Sequence, residues 1–429
     1  MKVAVVGAGW AGMAAAVAAV RAGHEVTVFE ATRALGGRAR GLPVQLPDGA
    51  RAVLDNGQHI MLGAYRATLG VMREVGVEPG RVLVRLPLAL RFPDGTGLSL
   101  PRWPAPLDAA AGILMAKGWG WRDKTSLLRS ALGWRAAGFQ CPQSETVSRL
   151  CRALTPRVMS ELIEPLCASA LNTPADRASG QVFLRVMCDA LFGDGHGTWG
   201  SSNLLLPRCD LGTLFPEMAS RWLERNGGVT RTAHRVAMIA PQGNGWRVDG
   251  ERFDRVVLAC PDREAARLVE TSGVPAQAWL QSARGLAHEA ITTVYVMGRQ
   301  PPLPLPMLAL RSGPGAPAQF VFDRGQLGGA AGLLAFVVSA SRGDHGTLQQ
   351  QVLAQAHALG WTGLEPVQTV VEKRATFACT PGLRRPGVEI AAGLLACGDY
   401  VDGPYPATLE GAVRSGLEAA ARLQPPRVI

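Results

Sequence analysis

The chain has 429 residues, with 44 Lys and Arg against 34 Asp and Glu for a formal net charge of +10; 47% of its residues are hydrophobic and only 18% charged. So small a charged fraction with so many apolar residues excludes a disordered chain and points to a large apolar site or a lipid-facing surface. The eight cysteines form no C-x-x-C pair and have no histidine at zinc-finger spacing, which argues against a metal site or a disulfide framework and for buried thiols in a reducing compartment.

Val3 to Val20 carries no charge and follows Lys2, the outline of a signal peptide or short membrane span. Glycines at 7, 9 and 12 and a change of hydrophobic period halfway along make it a strand, a turn and a helix instead, so neither a transmembrane helix nor a cleaved signal is expected. Residues 2–6 read as a buried strand, 10–22 as a helix and 25–30 as a second strand, the start of a βαβ unit. From 63 to 205 the pattern is mostly helical, with Pro- and Trp-rich joints. A helix follows at 210–227, then strands at 229–239, 245–249, 255–260, 291–297, 318–323 and 333–339. A helix at 346–359, strands at 367–372 and 394–398, and a helix from about 408 to 423 complete the chain. Nucleotide-type elements at the start, middle and end predict an α/β fold, a Rossmann-like domain with a second domain inserted in two pieces.

The basic excess is concentrated. Between Arg102 and Arg157 stand nine basic residues against Asp108, Asp123 and Glu145, with Trp103, Trp119, Trp121 and Trp134 among them. Helix-like segments run over Leu107–Ala116 and Lys124–Ala137. Arg and Lys beside Trp and Leu on short amphipathic helices is the composition of an element lying in a membrane interface; an ordinary helical pair with a solvated face is the alternative. The chain lacks a groove-reading motif and is only 6% aromatic, so nucleic acid is not an expected partner.

Gly7-Ala8-Gly9-Trp10-Ala11-Gly12 follows a strand and opens a helix. Gly7 permits the tight turn, Gly9 lets backbone approach a pyrophosphate, and Gly12 lets helix and strand pack closely. The helix N-terminus offers free N–H groups to phosphates. Glu30, with Ala31 after it, ends the second strand, where a carboxylate can accept hydrogen bonds from an adenosine ribose. NAD and FAD both fit so far. Gly36-Gly37-Arg38 favours FAD, because a second glycine turn with a cation suits a second approach to the pyrophosphate. Asp55-Asn56-Gly57-Gln58-His59 forms a glycine-centred polar turn, and Gly398-Asp399 closes a late strand where a carboxylate can bind ribityl hydroxyls. Ala407-Thr408-Leu409 starts the last helix, whose N–H groups would face the pyrimidine edge of a flavin.

The combination of GAGWAG, Glu30, GGR, DNGQH and GDYVDGPYPATLEGAVRSG resembles the FAD-dependent amine oxidase and carotenoid desaturase superfamily. The segment LNTPADRASGQVFLRVMCDALFGDGHGTWGSSNLLLPRCDLGTLFPE at 171–217, with DNGQH, is similar to the hydroxysqualene dehydroxylases within it. The resemblance implies an amine oxidase or phytoene desaturase-like fold: a Rossmann-like FAD-binding domain from 1–62, 206–288 and 385–429, and an inserted α+β substrate domain from 63–205 and 289–384 with membrane-facing helices in 102–157. It adds Val236 to the cofactor contacts. It implies reductive dehydroxylation of hydroxysqualene to squalene in hopanoid biosynthesis, with hydride passing from N5 of reduced flavin to an allylic cation and a general acid at the departing oxygen. His59 is the first candidate for that acid, followed by Asp194 and His196 in a glycine loop. Asn172, Asp176 and Arg177 are read as helix caps or terminators, Arg208 as a brace or buried ion pair, and Cys209 as a core thiol or flavin neighbour. With one dinucleotide fingerprint, a dedicated NAD(P)H domain is not expected, and electrons would come from an unidentified donor, a separate reductase or direct weak reduction. The expected location is cytoplasmic, peripheral on the inner face of the cell membrane, where a nearly insoluble substrate can be loaded. A polyprenoid desaturase, an amine oxidase, and a non-catalytic prenyl-lipid carrier on the same fold remain the competing readings.

Overall fold

The computed structural model describes residues 1–104, 106–192 and 200–423. A six-stranded sheet runs in the order Val229–Arg231, Glu25–Phe29, Lys2–Val6, Arg255–Leu258, Leu394–Ala396, Glu389–Ala391. Its first five strands are parallel and the last is antiparallel. Val3, Val5, Val26, Val28 and Val257 are buried, as expected of apolar strands covered on both faces. The helix Trp10–Arg21 packs beside the last helix, Leu409–Ala421. Closeness is enforced by glycine: a Cβ at Gly416 would lie 2.2 Å from the Ala11 carbonyl oxygen.

A second, antiparallel sheet runs Met307–Ala309, Phe320–Asp323, Leu333–Ser341, His288–Met297, Glu365–Phe377. Alternation along His288–Met297 divides its faces. Val294 and Val296 point into a small core shared with Leu348 and Val352 of the helix His345–Ala358. Tyr295, with Ile291 and Met297, points into the main core, which also contains the nucleotide-type sheet.

Several expectations are corrected. The stretch 63–205 contains helices, among them Arg66–Glu74, Leu107–Met115, Trp121–Ala136, Glu164–Leu171 and Gly180–Phe192. It also contains strands Leu83–Leu86, Ala89–Arg91 and Gly97–Ser99, and Leu83–Leu86 pairs with Leu204–Pro207. Strands of three or four residues carry no period long enough to separate strand from helix. A hairpin of Gly41–Gln45 and Arg51–Asp55 and the helices Asp262–Thr271 and Gln277–Arg284 were not foreseen. The helix expected over 210–227 breaks into Leu211–Leu214 and Pro216–Arg225, since Pro216 has no N–H to continue the ladder. The strand expected over 229–239 is only Val229–Arg231, a loop separating it from Ile239–Gln242. Asn172 does terminate a helix, in left-handed conformation at φ 46°. Among the described residues, no helix is long and apolar enough to cross a membrane.

One buried carboxylate fastens the last helix to the segment after the DNGQH turn. Glu410 is 0% exposed; it accepts from the backbone N–H groups of Ala67 (3.1 Å) and Thr68 (2.9 Å), from the Thr68 hydroxyl (2.9 Å) and from Arg414 Nε (2.7 Å). Replacing Glu410 with Ala leaves those buried donors unpaired and should lower unfolding free energy by about 3 kcal/mol. Denaturant titration checks this; a loss below about 1 kcal/mol would mean water replaces the carboxylate.

Candidate cofactor and catalytic site

At the carboxyl ends of the parallel strands the chain makes two interlocked glycine turns. Gly7 takes φ +114° and Gly36 φ +105°, conformations that L side chains rarely adopt. The Gly36 N–H donates to the Ala8 carbonyl at 3.0 Å, and Gly9 bridges Gly36, so the GGR turn lies on the GAGWAG loop. Gly12 is required by packing, because a Cβ there would stand 2.0 Å from the Gly7 carbonyl oxygen. At Gly9 a Cβ would meet nothing nearer than the Gly36 oxygen at 3.9 Å. Gly9 is also the N-cap of the first helix and supplies no side-chain cap. A helix start with uncapped N–H groups behind an open, side-chain-free backbone is a cradle that fits a dinucleotide pyrophosphate.

Glu30 sits beside this cradle. Its carboxylate accepts from Ala8 N (2.9 Å) and from Thr32 N and Oγ1 (both 2.9 Å), while Ala31 next to it is exposed. His234 N donates to the Glu30 carbonyl at 2.8 Å, which brings the loop carrying buried Val236 alongside. Arg38 bonds the Asp399 carboxylate and donates to the Ala375 carbonyl at 2.8 Å. In this structure the guanidinium therefore ties the second glycine turn to the late strand. Gly398 N donates to Ser415 Oγ at 2.9 Å, and Ala407, at φ +57°, donates to the Asp399 carbonyl at 3.2 Å. Thr408 caps the last helix by accepting from Gly411 N at 3.0 Å, and Leu409 is that helix's first residue. The early and late motifs thus meet in one region of the structure. Trp10 and Ala11 lie in the first turn of the first helix with buried side chains, the indole against Phe215 at 5.1 Å between ring centroids; Ala11 can offer a ligand only backbone, while the buried Trp10 Nε1 has no hydrogen-bond partner among the described residues.

The DNGQH turn is tied to the second sheet. The Tyr295 hydroxyl donates to the Asp55 carbonyl. Gln58 is 3% exposed at φ +49°, and neither atom of its carboxamide has a partner, an unpaired donor and acceptor of the kind a flavin ring edge would satisfy. His59 Nδ1 lies 2.7 Å from Asp55 Oδ1. Burial works against charging that imidazole, but the charge and hydrogen bond of Asp55 outweigh it and hold its pKa above the ordinary 6.5. Burial likewise opposes ionisation of Asp55, yet His59 and the backbone N–H groups keep its pKa below the usual value.

Asp194 and His196 lie outside the described residues. Arg208, expected as a brace or buried pair, is exposed; it follows the strand Leu204–Pro207 immediately. Cys209 is half-buried, and burial pushes its thiol pKa up. Asp55 and Glu410 stand inside the DNGQH and PATLEGAVRSG motifs but neither had a role of its own in the sequence reading, and Tyr295 lies in no motif. An acid four residues before His59 was the available signal for the first; nothing local marked a role for the other two.

The fold and the cradle define a flavoprotein. The model of the flavin containing amine oxidoreductase family matches residues 10–424, and the chain belongs to that family. It is 29% identical to hydroxysqualene dehydroxylase from Rhodopseudomonas palustris, over 97% of this chain and 96% of that one. It is 26% identical to the enzyme of the same name from Sinorhizobium fredii, with the same coverage. An oxidoreductase structure from Methanosarcina mazei superposes with a TM-score of 0.74 at 17% identity, covering 98% of this chain and all of that one. The protein is an FAD-dependent oxidoreductase related to enzymes of squalene metabolism.

Two glycine substitutions separate cradle from scaffold. Gly9→Ala should fold with an unchanged denaturation midpoint but retain flavin at least about tenfold less tightly, because its methyl group enters the pyrophosphate space. Gly12→Ala should lower the midpoint itself. Flavin content and urea unfolding of both variants check this, and a fully yellow Gly9→Ala protein would contradict the cradle.

Proposed function

We propose that the protein reductively dehydroxylates hydroxysqualene to squalene on the way to hopanoids and related triterpenoids. The observation that carries this reading is similarity to hydroxysqualene dehydroxylases along 97% of the chain. In this reading segments 1–62, 206–288 and 385–429 hold the cofactor, and 63–205 with 289–384 receive the lipid. Bound FAD in its two-electron-reduced state supplies a hydride, so that alcohol and FADH2 give hydrocarbon, water and FAD. The chain must orient the allylic carbon, exclude water and protonate the departing oxygen. His59 is the group we assign to that proton transfer: Nδ1 faces Asp55, and among the described residues Nε2 has no partner. A separate donor must reduce the flavin.

The same reading places the protein on the inner face of a membrane. Among the described residues, six of the eleven exposed large apolar side chains lie between 103 and 132: Trp103, Leu107, Leu114, Met115, Trp121 and Leu132. Trp121 is 72% exposed, with the Lys124 ammonium 5.5 Å from its ring centroid. Lys117, Arg122 and Arg129 stand exposed around them. Trp119 and Trp134 take no part in this face, since both are buried and Trp119 Nε1 donates to Glu161 at 2.9 Å. Apolar side chains ringed by cations suit an anionic lipid surface.

Two experiments test these readings. Anaerobically reduced protein given hydroxysqualene for one turnover should yield squalene, read by mass, and His59→Gln should slow that turnover by about 10²–10⁴-fold with flavin retained. Alcohol left untouched by reduced protein, together with a hydrocarbon dehydrogenated by oxidised protein, would establish a desaturase instead. Replacing Arg122 and Arg129 with Glu should weaken binding to anionic vesicles by at least about tenfold, since each basic residue near such a surface contributes about 1 kcal/mol. Binding unchanged by these substitutions and by high salt would rule out the membrane surface.

A further inference from the structure

We propose that Asp55 is a positioning residue: it holds the His59 imidazole with Nδ1–H turned inward and so leaves Nε2 as the atom that carries the transferred proton, a role that serves the dehydroxylation proposed above.

The geometry is over-determined. Asp55 ends the strand Arg51–Asp55 and is 1% exposed. Its carboxylate accepts from Gly57 N at 3.1 Å and His59 N at 3.0 Å, besides facing His59 Nδ1 at 2.7 Å. An ionised carboxylate is acceptor-only, so the nitrogen facing it must carry hydrogen. That fixes the neutral tautomer with Nε2 unprotonated and makes Nε2 the site where a second proton is gained and lost.

The turn is built to allow this fold-back. A Cβ at Gly57 would lie 2.7 Å from His59 Cε1 and 3.1 Å from Nε2, so the ring reaches the carboxylate only across a residue without a side chain. The loop cannot drift: Asn56 Nδ2 donates to the Arg38 carbonyl at 2.8 Å, Asn56 Oδ1 accepts from Arg40 N at 3.0 Å, and Tyr295 holds the Asp55 carbonyl from the second sheet. The side chain of His59 remains 27% exposed.

The charged groups acting on the imidazole come from three further places. Asp55 favours the imidazolium, as does Glu372 on the strand Glu365–Phe377, whereas Arg38 opposes it. The balance leaves His59 protonated above the pH at which a free histidine gives up its charge. In the transfer, the Nε2–H bond breaks, an O–H bond forms on the departing oxygen, and the C–O electron pair leaves as water. Neutral His59 then recovers a proton from solvent.

The test is nitrogen-15 NMR of histidine-labelled holoenzyme across pH, with the His59 resonance among the seven histidines identified by its loss in His59→Gln. The expected wild-type result is an Nδ1–H tautomer and a pKa above 6.5. In Asp55→Asn that pKa should fall by about one to three pH units, the span an adjacent opposite charge commands. The alkaline limb of single-turnover rate against pH should move down equally, with KM unchanged. A wild-type Nε2–H tautomer, or a His59 titration indifferent to Asp55→Asn, overturns the proposal. The wild-type spectrum decides even where the variant fails to fold. Because the spectra need no substrate, an intact pair in a protein inert towards hydroxysqualene would separate failure of the substrate reading from failure of this one.

Discussion

A phosphate cradle requires backbone N–H groups that nothing in the protein satisfies, and a folded chain does not readily leave such groups bare. Here the requirement is met by subtraction. Gly9 caps the first helix without a side chain, and the turn Gly36–Gly37 lies against it through backbone alone. A carboxylate or hydroxyl at position 9 would cap the helix and stabilise it, but would also occupy the space the cofactor needs. The rest of the architecture follows from keeping this loop rigid without filling it: Gly12 pressed on Gly7, Gly416 pressed on Ala11, and Arg38 reaching across to Asp399. Rigidity comes from behind the loop and from its flanks, leaving the ligand side open.

The same logic explains why elements hundreds of residues apart close on one another. Each late contact replaces a solvated group with a paired one. Glu410 satisfies the start of the helix Arg66–Glu74, Ser415 holds the Gly398 backbone, and Tyr295 holds the DNGQH turn. Cofactor loops placed on such contacts are positioned by the second sheet and the last helix together, so the two sheets are not mechanically independent. A flavin ring that exchanges electrons with a substrate must be held in tightly defined geometry, which this coupling serves.

What was legible in the sequence was what is local. GAGWAG, Glu30, GGR and the start of the last helix announce themselves because their glycines and caps act within a few residues. The hairpin Gly41–Gln45 with Arg51–Asp55 did not, since only its partner makes either strand a strand. Leu204–Pro207 is four buried residues whose meaning lies in Leu83–Leu86, more than a hundred positions earlier. Composition also misled in part. Four tryptophans among cations looked like one lipid-facing set, yet Trp119 and Trp134 are core residues and only Trp103 and Trp121 face outward. Amphipathic indole serves either environment, and the choice depends on helix rotation that no short window fixes. DNGQH was recognisable as a motif, but its internal pairing was not, because a spacing of four outside a helix carries no default geometry.

The Asp55–His59 pair also has a consequence for stability with a definite sign. The raised pKa of His59 means its contribution is complete below 6.5 and disappears as pH rises through the folded value. The depressed pKa of Asp55 means its contribution is complete above 3.8 and disappears as pH falls through its folded value. Between those limits both groups are charged, and the turn that carries them is held most firmly. A turn stabilised by the protonated imidazole is therefore best ordered in the state that has a proton to give, and it loosens once the proton has left. In the function proposed above, the order of the turn and the acid role of His59 would be drawn from the same contact, and a substitution that disturbs one is expected to disturb the other.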